Sequence, residues 1–166
     1  MLHTAEELFG QRDLSYTILG IEFVEDGPRI WYPGDRKHII IHLGSLAATD
    51  MAQACYQMAH ETIHLLAPSG GKNANNFEEG VACYFATYYL EKWLNALNWR
   101  PTLTSYRRVF EFVSPLLDVD ISCVRRLRNQ QPSFSKMNKE QVSTAFPSLT
   151  PDDVDFLISK FNRNSG

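Results

Sequence analysis

The chain of 166 residues has few cysteines and no paired cysteine motif. Its three cysteines, Cys55, Cys83 and Cys123, are odd in number and widely spaced. This spacing argues against a disulfide framework and against a structural zinc site built from Cys-x-x-Cys pairs. We expect Cys55 and Cys83 to be small buried side chains on helices, packed among apolar residues.

The chain also lacks an excess of positive charge, a secretory signal and a long apolar run. Its formal net charge of −3 argues against broad nucleic-acid binding. The cluster Arg125, Arg126 and Arg128 is interpreted as a solvated helix face. No stretch has the roughly 20 apolar residues of a membrane span, and the N-terminus has no basic region before an apolar one. We therefore expect a cytoplasmic protein that binds neither nucleic acid nor membrane.

One segment has the pattern of a metal site, namely His60-Glu61-Thr62-Ile63-His64. Residues four apart on a helix project from the same face. Two imidazoles placed in this way can hold one Zn²⁺, with Glu61 beside them as a general base. An apolar stripe in residues 50–66 predicts the required helix. A catalytic zinc ion also needs a third protein ligand and an open position.

Glu79 is the candidate for this third ligand. The motif helix should end near Pro68, and a second helix should begin after Asn75-Asn76, which offer an N-cap. A helix, a short loop and a second helix would bring Glu79 back towards the histidines. Two alternatives stay open: Glu79 would complete a capping box with Asn76, or Glu78, about 100° away around the helix, would be the ligand. Otherwise Glu78 is expected to cap the helix or to support a ligand by hydrogen bonding.

The two segments, His60–His64 and Glu79-Gly80-Val81-Ala82, resemble the gluzincin metallopeptidases. Their short separation is similar to that in the compact, single-domain minigluzincins. The resemblance covers roughly residues 37–90. It implies a peptide or protein substrate and hydrolysis of peptide bonds by a zinc-activated water. In that mechanism His60, His64 and Glu79 hold the ion, and Glu61 is the general base.

The resemblance also implies a donor to the developing oxyanion, usually a tyrosine or histidine. Tyr106 is the preferred candidate, because a later helix could bring it over the cleft. The other candidates are Tyr84, Tyr88, Tyr89, His42 and Arg107. The second ring nitrogen of each histidine needs an acceptor, for which the chain offers Glu78, Asp118, Asp120 and backbone carbonyls. The alternative function is a zinc-binding regulatory or partner-binding protein with a gluzincin-like fold and no general protease activity.

Alternating apolar residues predict three strands, at residues 15–24, 29–32 and 37–43. After Pro101 the pattern is helical in blocks, and Thr150 is the predicted N-cap of the last helix. A small N-terminal sheet followed by helices indicates an α+β fold. We expect one metallopeptidase-like domain over residues 1–166, with the sheet and zinc-binding helices in 1–100 and a helical subdomain in 101–166. By resemblance, the sheet packs on the motif helix, and residues 37–43 form the edge strand beside the cleft.

Overall fold

The structure is a computed structural model that describes residues 1–70 and 73–164. Three strands lie in the N-terminal part: β1 (Thr17–Val24), β2 (Arg29–Trp31) and β3 (His38–Gly44). The helices are α1 (Leu2–Phe9), α2 (Met51–Leu66), α3 (Asn76–Leu94), α4 (Thr104–Val119), α5 (Ser122–Gln130), α6 (Lys139–Ala145) and α7 (Pro151–Ile158). The predicted α+β class is confirmed, as are the three strands, whose ends differ from the prediction by at most two residues.

The strand order in the sheet is β1-β3-β2, with β1 parallel and β2 antiparallel to β3. The prediction that residues 37–43 form an edge strand is therefore wrong. As the central strand, β3 is also the most buried one: Ile39, Ile41 and Leu43 are at most 3% exposed, whereas most residues of β1 are exposed. The two edges of the sheet are β1 and β2, and β2 is the strand that borders the cleft described below.

Helix α2 lies between the sheet and the other helices. Its Leu65 packs with the apolar face of β3, whereas Ile63 and Leu66 belong to the larger helical core. The sequence offers either Thr49 or Asp50 as the N-cap of α2, and the structure selects Asp50, whose carboxylate accepts a hydrogen bond from the Gln53 backbone N–H at 3.0 Å. The helix is thus fixed on two sides, which leaves one remaining face for polar residues.

Helix α3 returns along α2 and packs against α4. Its N-cap is Asn75, whose side chain accepts a hydrogen bond from the Glu78 backbone N–H at 2.9 Å. Gly80 marks the close approach to α4, because a Cβ at Gly80 would lie 2.8 Å from Val113 Cβ and 3.0 Å from the Val109 carbonyl oxygen. Only glycine allows the two helices to pack at this distance.

Arg128 contradicts the interpretation of the basic cluster as a solvated face. Arg125 and Arg126 are exposed, as expected, but Arg128 is only 5% exposed. Its guanidinium donates to the carbonyl oxygens of Phe9 at 2.8 Å and Leu66 at 3.0 Å, and also to those of Gly10, Gln11 and Pro132. It therefore joins the C-terminal ends of α1 and α2, where carbonyl groups lack partners within the helices.

Thr150 caps α7 as predicted, since its hydroxyl accepts a hydrogen bond from the Asp153 backbone N–H at 3.2 Å.

Within residues 1–70 and 73–164, each helix is too short or too polar to cross a membrane.

Candidate metal centre

The two histidines of the motif project from α2 into one place. The Nε2 atoms of His60 and His64 are 3.3 Å apart, and the two rings meet edge to face with centroids 5.1 Å apart. His60 is buried, and the His64 side chain is 15% exposed. Ile63 and Leu66 of the same helix pack in the core. The face that carries the two histidines is therefore the one left for polar contacts.

Glu79 meets the same two nitrogens from α3. Its Oε2 atom is 3.1 Å from His60 Nε2 and 3.8 Å from His64 Nε2. The alternative in which Glu79 forms a capping box with Asn76 is wrong, because Asn75 is the N-cap and the Asn76 side chain donates to the Phe156 carbonyl oxygen. His60, His64 and Glu79 form a group that can hold a metal ion.

Glu78 lies behind His64. Its Oε1 atom is 2.8 Å from His64 Nδ1, and its side chain is 2% exposed. When Nδ1–H donates to this carboxylate, the lone pair on Nε2 faces the other two ligand atoms, as a metal ligand requires. Of the acceptors considered, Glu78 is therefore the one at His64, whereas Asp120 is bonded to Ser122 and Arg126.

The support for His60 comes from side chains that the sequence reasoning missed. Cys83 Sγ lies 3.8 Å from His60 Nδ1, and the Tyr56 hydroxyl hydrogen-bonds to the same sulfur. Burial raises the pKa of the Cys83 thiol well above its usual value, so the thiol keeps its proton near neutral pH. Its sulfur can accept a hydrogen bond from His60 Nδ1–H in the tautomer whose Nε2 is free to bind an ion. The spacing places Tyr56 one turn before His60 and Cys83 one turn after Glu79, but the contact between Cys83 and His60 also depends on how the two helices are rotated relative to each other.

The buried carboxylates determine the protonation of the metal-free centre. Burial raises the pKa of Glu61. Burial also raises the pKa of Glu79, but the nearby His64 and the hydrogen bond with His60 outweigh it and leave the pKa of Glu79 below its usual value. Burial lowers the pKa of His64, yet Glu79 and Glu78 outweigh it and raise this pKa to about 10. A proton on His64 thus offsets the carboxylates until a cation replaces it.

The centre opens into a cleft of about 790 Å³. Residues 28–32 of the β2 region form one wall, and residues 160–164 after α7 form the other. Glu61, which is 4% exposed, lines this cleft beside His60, His64 and Glu79. The five predicted residues His60, Glu61, His64, Glu79 and Tyr106 all line it, and Glu78 lies behind them.

Tyr106 reaches the centre from α4. Its ring centroid is 5.6 Å from that of His60 and 4.8 Å from that of Phe161 in the opposite wall. Burial, with a smaller effect from Glu79, raises the pKa of Tyr106. The phenol therefore keeps its proton near neutral pH and can act as a hydrogen-bond donor.

The other oxyanion candidates lie elsewhere among the described residues. Tyr88 accepts from Lys92, and Arg107 donates to the carbonyl oxygens of Pro101 and Thr102. His42 stacks on Trp31 within the sheet. Tyr84 hydrogen-bonds with Asp118, and Tyr89 packs on Phe85 and Trp93.

Comparison with protein-family models gives no match, and comparisons with curated proteins and with solved structures give none either. The gluzincin resemblance therefore rests on the motif residues and stays a prediction.

Proposed function

We propose that this protein is a zinc metallopeptidase that hydrolyses peptide bonds. The observation that carries the proposal is the convergence of His60, His64 and Glu79 from two helices at the bottom of an open cleft, with Glu61 beside them. Three protein ligands and an accessible side are typical of catalytic zinc sites, whereas structural sites are closed by a fourth protein ligand.

The donor set supports zinc as the ion. Two imidazole nitrogens and one carboxylate oxygen suit zinc better than Mg²⁺ or Ca²⁺, which prefer oxygen ligands. Ligand atoms about 2.0 Å from a tetrahedral ion lie about 3.3 Å from one another. The three separations here are 3.1, 3.3 and 3.8 Å, so the side chains fit the ion with small adjustments.

A bound zinc ion supplies Lewis acidity, which polarises a peptide carbonyl and makes water nucleophilic near pH 7. Glu61 is assigned the proton transfer: its carboxylate takes a proton from the attacking water and delivers it to the leaving amine. Tyr106 is assigned the donor role, with its hydroxyl directed at the oxygen that gains charge in the transition state.

The edge of β2 supports a peptide as the substrate. β2 pairs with β3 on one side only, and residues 29–32 line the cleft. An extended peptide can add to such an edge through main-chain hydrogen bonds. Its scissile bond would then pass across the mouth of the metal centre.

The test compares the unchanged chain with the Glu61→Gln variant, both purified without a histidine tag. Metal content is measured by mass spectrometry, and turnover is measured on a quenched fluorescent peptide library. We expect about one zinc per chain in both proteins and a loss of at least about 100-fold in turnover for Glu61→Gln. Glu7→Gln, an exposed change in α1, is the matched control and should behave like the unchanged chain.

Equal turnover in the two proteins would remove Glu61 from the mechanism. A full equivalent of zinc without cleavage of any peptide or protein in the unchanged chain would favour the zinc-binding regulatory or partner-binding function instead. Absence of zinc after metal reconstitution would refute both.

A further inference from the structure

The rim of the cleft carries an unusual concentration of cations. Arg29 and Arg36 line the wall formed by β2 and the loop after it, and Lys160 and Arg163 line the opposite wall. Apart from the glutamates of the metal centre, the cleft has one acidic lining residue, Asp26. The whole chain has 19 acidic and 16 basic residues. The excess of positive charge at the rim is therefore opposite in sign to the net charge of the chain.

Little in the protein neutralises these cations. Arg29 has a loose ion pair with Asp26, with Nη1 and Oδ2 3.8 Å apart. The other three cations, Arg36, Lys160 and Arg163, are exposed. None of them forms an ion pair with a residue of 1–70 or 73–164. Arg163 acts electrostatically on Glu79 and Tyr106 within the cleft, and none of the three is held in an ion pair, so their charge can also act on a ligand there.

Two of the cations are positioned by the fold. The Arg29 guanidinium lies 5.5 Å from the Trp31 ring centroid, and its Nε atom is buried without a hydrogen-bond acceptor among the described residues. The Arg163 backbone is fixed by the Ser105 hydroxyl, which donates to its carbonyl oxygen at 2.8 Å. Its Nη2 lies 4.0 Å from the position that a Cβ at Gly27 would take, so the side chain spans the cleft towards the turn before β2.

The metal ion would not make the cleft positive by itself. Glu61, Glu78 and Glu79 are grouped around the ligand position, and their three negative charges exceed the two positive charges of zinc when all are ionised. Selection of an anionic ligand therefore falls to the four rim cations, which come from two separate segments of the chain.

We infer that the cleft selects peptides with acidic side chains close to the scissile bond, held by Arg29 and Arg36 on one wall and Lys160 and Arg163 on the other. This inference rests on the proposed peptidase function, because it names the substrate class of the same site. Carboxylates suit guanidinium groups through paired hydrogen bonds as well as charge.

The test measures binding separately from cleavage. Two labelled peptides of equal length are compared, one with Glu and Asp at positions near the scissile bond and one with Gln and Asn in their place. Their affinity for the zinc-loaded Glu61→Gln protein is measured by fluorescence anisotropy. We expect the acidic peptide to bind at least about tenfold more tightly at low salt, with the preference falling as salt is raised.

Variants then locate the effect. Arg29→Gln and Arg163→Gln, each in the Glu61→Gln protein, should reduce affinity for the acidic peptide about threefold to tenfold and leave the neutral peptide unchanged. Arg125→Gln, an exposed change in α5, is the matched control and should change neither. Circular dichroism and zinc content confirm that each variant is folded. The salt series is measured on the protein with all four rim cations in place, so it tests the charge selection even if a rim variant does not fold.

Equal binding of the two peptides, binding of neither, or an equal effect of Arg125→Gln would overturn the inference. Selective binding of the acidic peptide without cleavage by the zinc-loaded chain would instead refute the peptidase function and keep the charge selection. Cleavage of neutral and acidic peptides at equal kcat/KM would refute the charge selection and keep the peptidase function.

Discussion

The closest approach between α3 and α4 gives the sharpest test of the packing. Replacing Gly80 by alanine adds one methyl group between the two helices. That carbon would lie 2.8 Å from Val113 Cβ and 3.0 Å from the Val109 carbonyl oxygen, about 1 Å and a few tenths of an ångström closer than ordinary contact. Both atoms belong to the backbone or are attached directly to it, so no side-chain rotation relieves the overlap and α4 has to move.

The expected cost follows from two opposing effects. Overpacking of a buried contact costs about 1–3 kcal/mol, and Val113 and Val109 are both buried. Alanine is favoured over glycine inside a helix by about 1 kcal/mol. Because the overlap involves atoms that cannot rotate away, the overpacking cost should lie in the upper part of its range, about 2–3 kcal/mol. We therefore expect a net loss of about 1–2 kcal/mol, which lowers Tm by roughly 2–8 °C in a chain of this size.

Thermal and urea unfolding of the metal-free protein measure this loss. Gly20→Ala is the matched control, because nothing lies within 4 Å of a Cβ at Gly20 and its φ is not in the left-handed region. A second variant, Gly80→Ala with Val113→Ala, removes Val113 Cγ2, which is the atom nearest to the added carbon. It should cost less than the sum of the two single changes, and the difference is the coupling energy between the sites. A Gly80→Ala protein as stable as the unchanged chain, or more stable, would refute the reasoning.

Three further predictions concern charge and protonation. Glu79→Gln should lose most of its bound zinc, because an amide oxygen replaces a charged ligand, while Asp118→Asn should retain a full equivalent by metal analysis. Arg128→Met should cost at least about 3 kcal/mol in urea unfolding, since carbonyl oxygens of five residues lose a charged donor; a loss below about 1 kcal/mol would contradict it. The raised pKa of His64, about 10 when folded against 6.5, contributes stability that is complete below pH 6.5 and lost as pH rises through about 10. Unfolding in EDTA should therefore show falling stability over this range, and constant stability would count against the assigned protonation.

The sequence predicts those parts of the molecule that depend on local spacing. The helix that carries His60 and His64, its cap at Asp50 and the return of Glu79 follow from residues within one turn or one short loop of each other. The strands follow from alternation over a few residues. The role of Glu78 at His64 lay within the predicted alternatives, and the geometry selected it.

The features that the sequence did not predict depend on contacts between distant segments. Arg128 was interpreted as exposed because its neighbours are charged, yet it bonds carbonyl groups near residues 9–11 and 66. The central position of β3 depends on which strands flank it, and alternation within one strand carries no information about neighbours. The contact of Cys83 with His60 required the relative rotation of two helices, which composition does not reveal.

Gly80 connects the packing of the helices with the chemistry of the centre. Gly80 directly follows Glu79, whose carboxylate meets the two histidines, and Gly80 itself presents no side chain on the face where α4 packs. Because α4 can approach so closely, Tyr106 at its N-terminal end reaches His60, with ring centroids 5.6 Å apart. A larger residue at position 80 would move α4 outwards and take the Tyr106 hydroxyl with it, while the ligands on α2 and α3 could stay in place. The proposed roles therefore separate: Gly80→Ala should reduce turnover more than it reduces zinc affinity, because the shift acts on the hydrogen-bond donor and leaves the metal ligands intact.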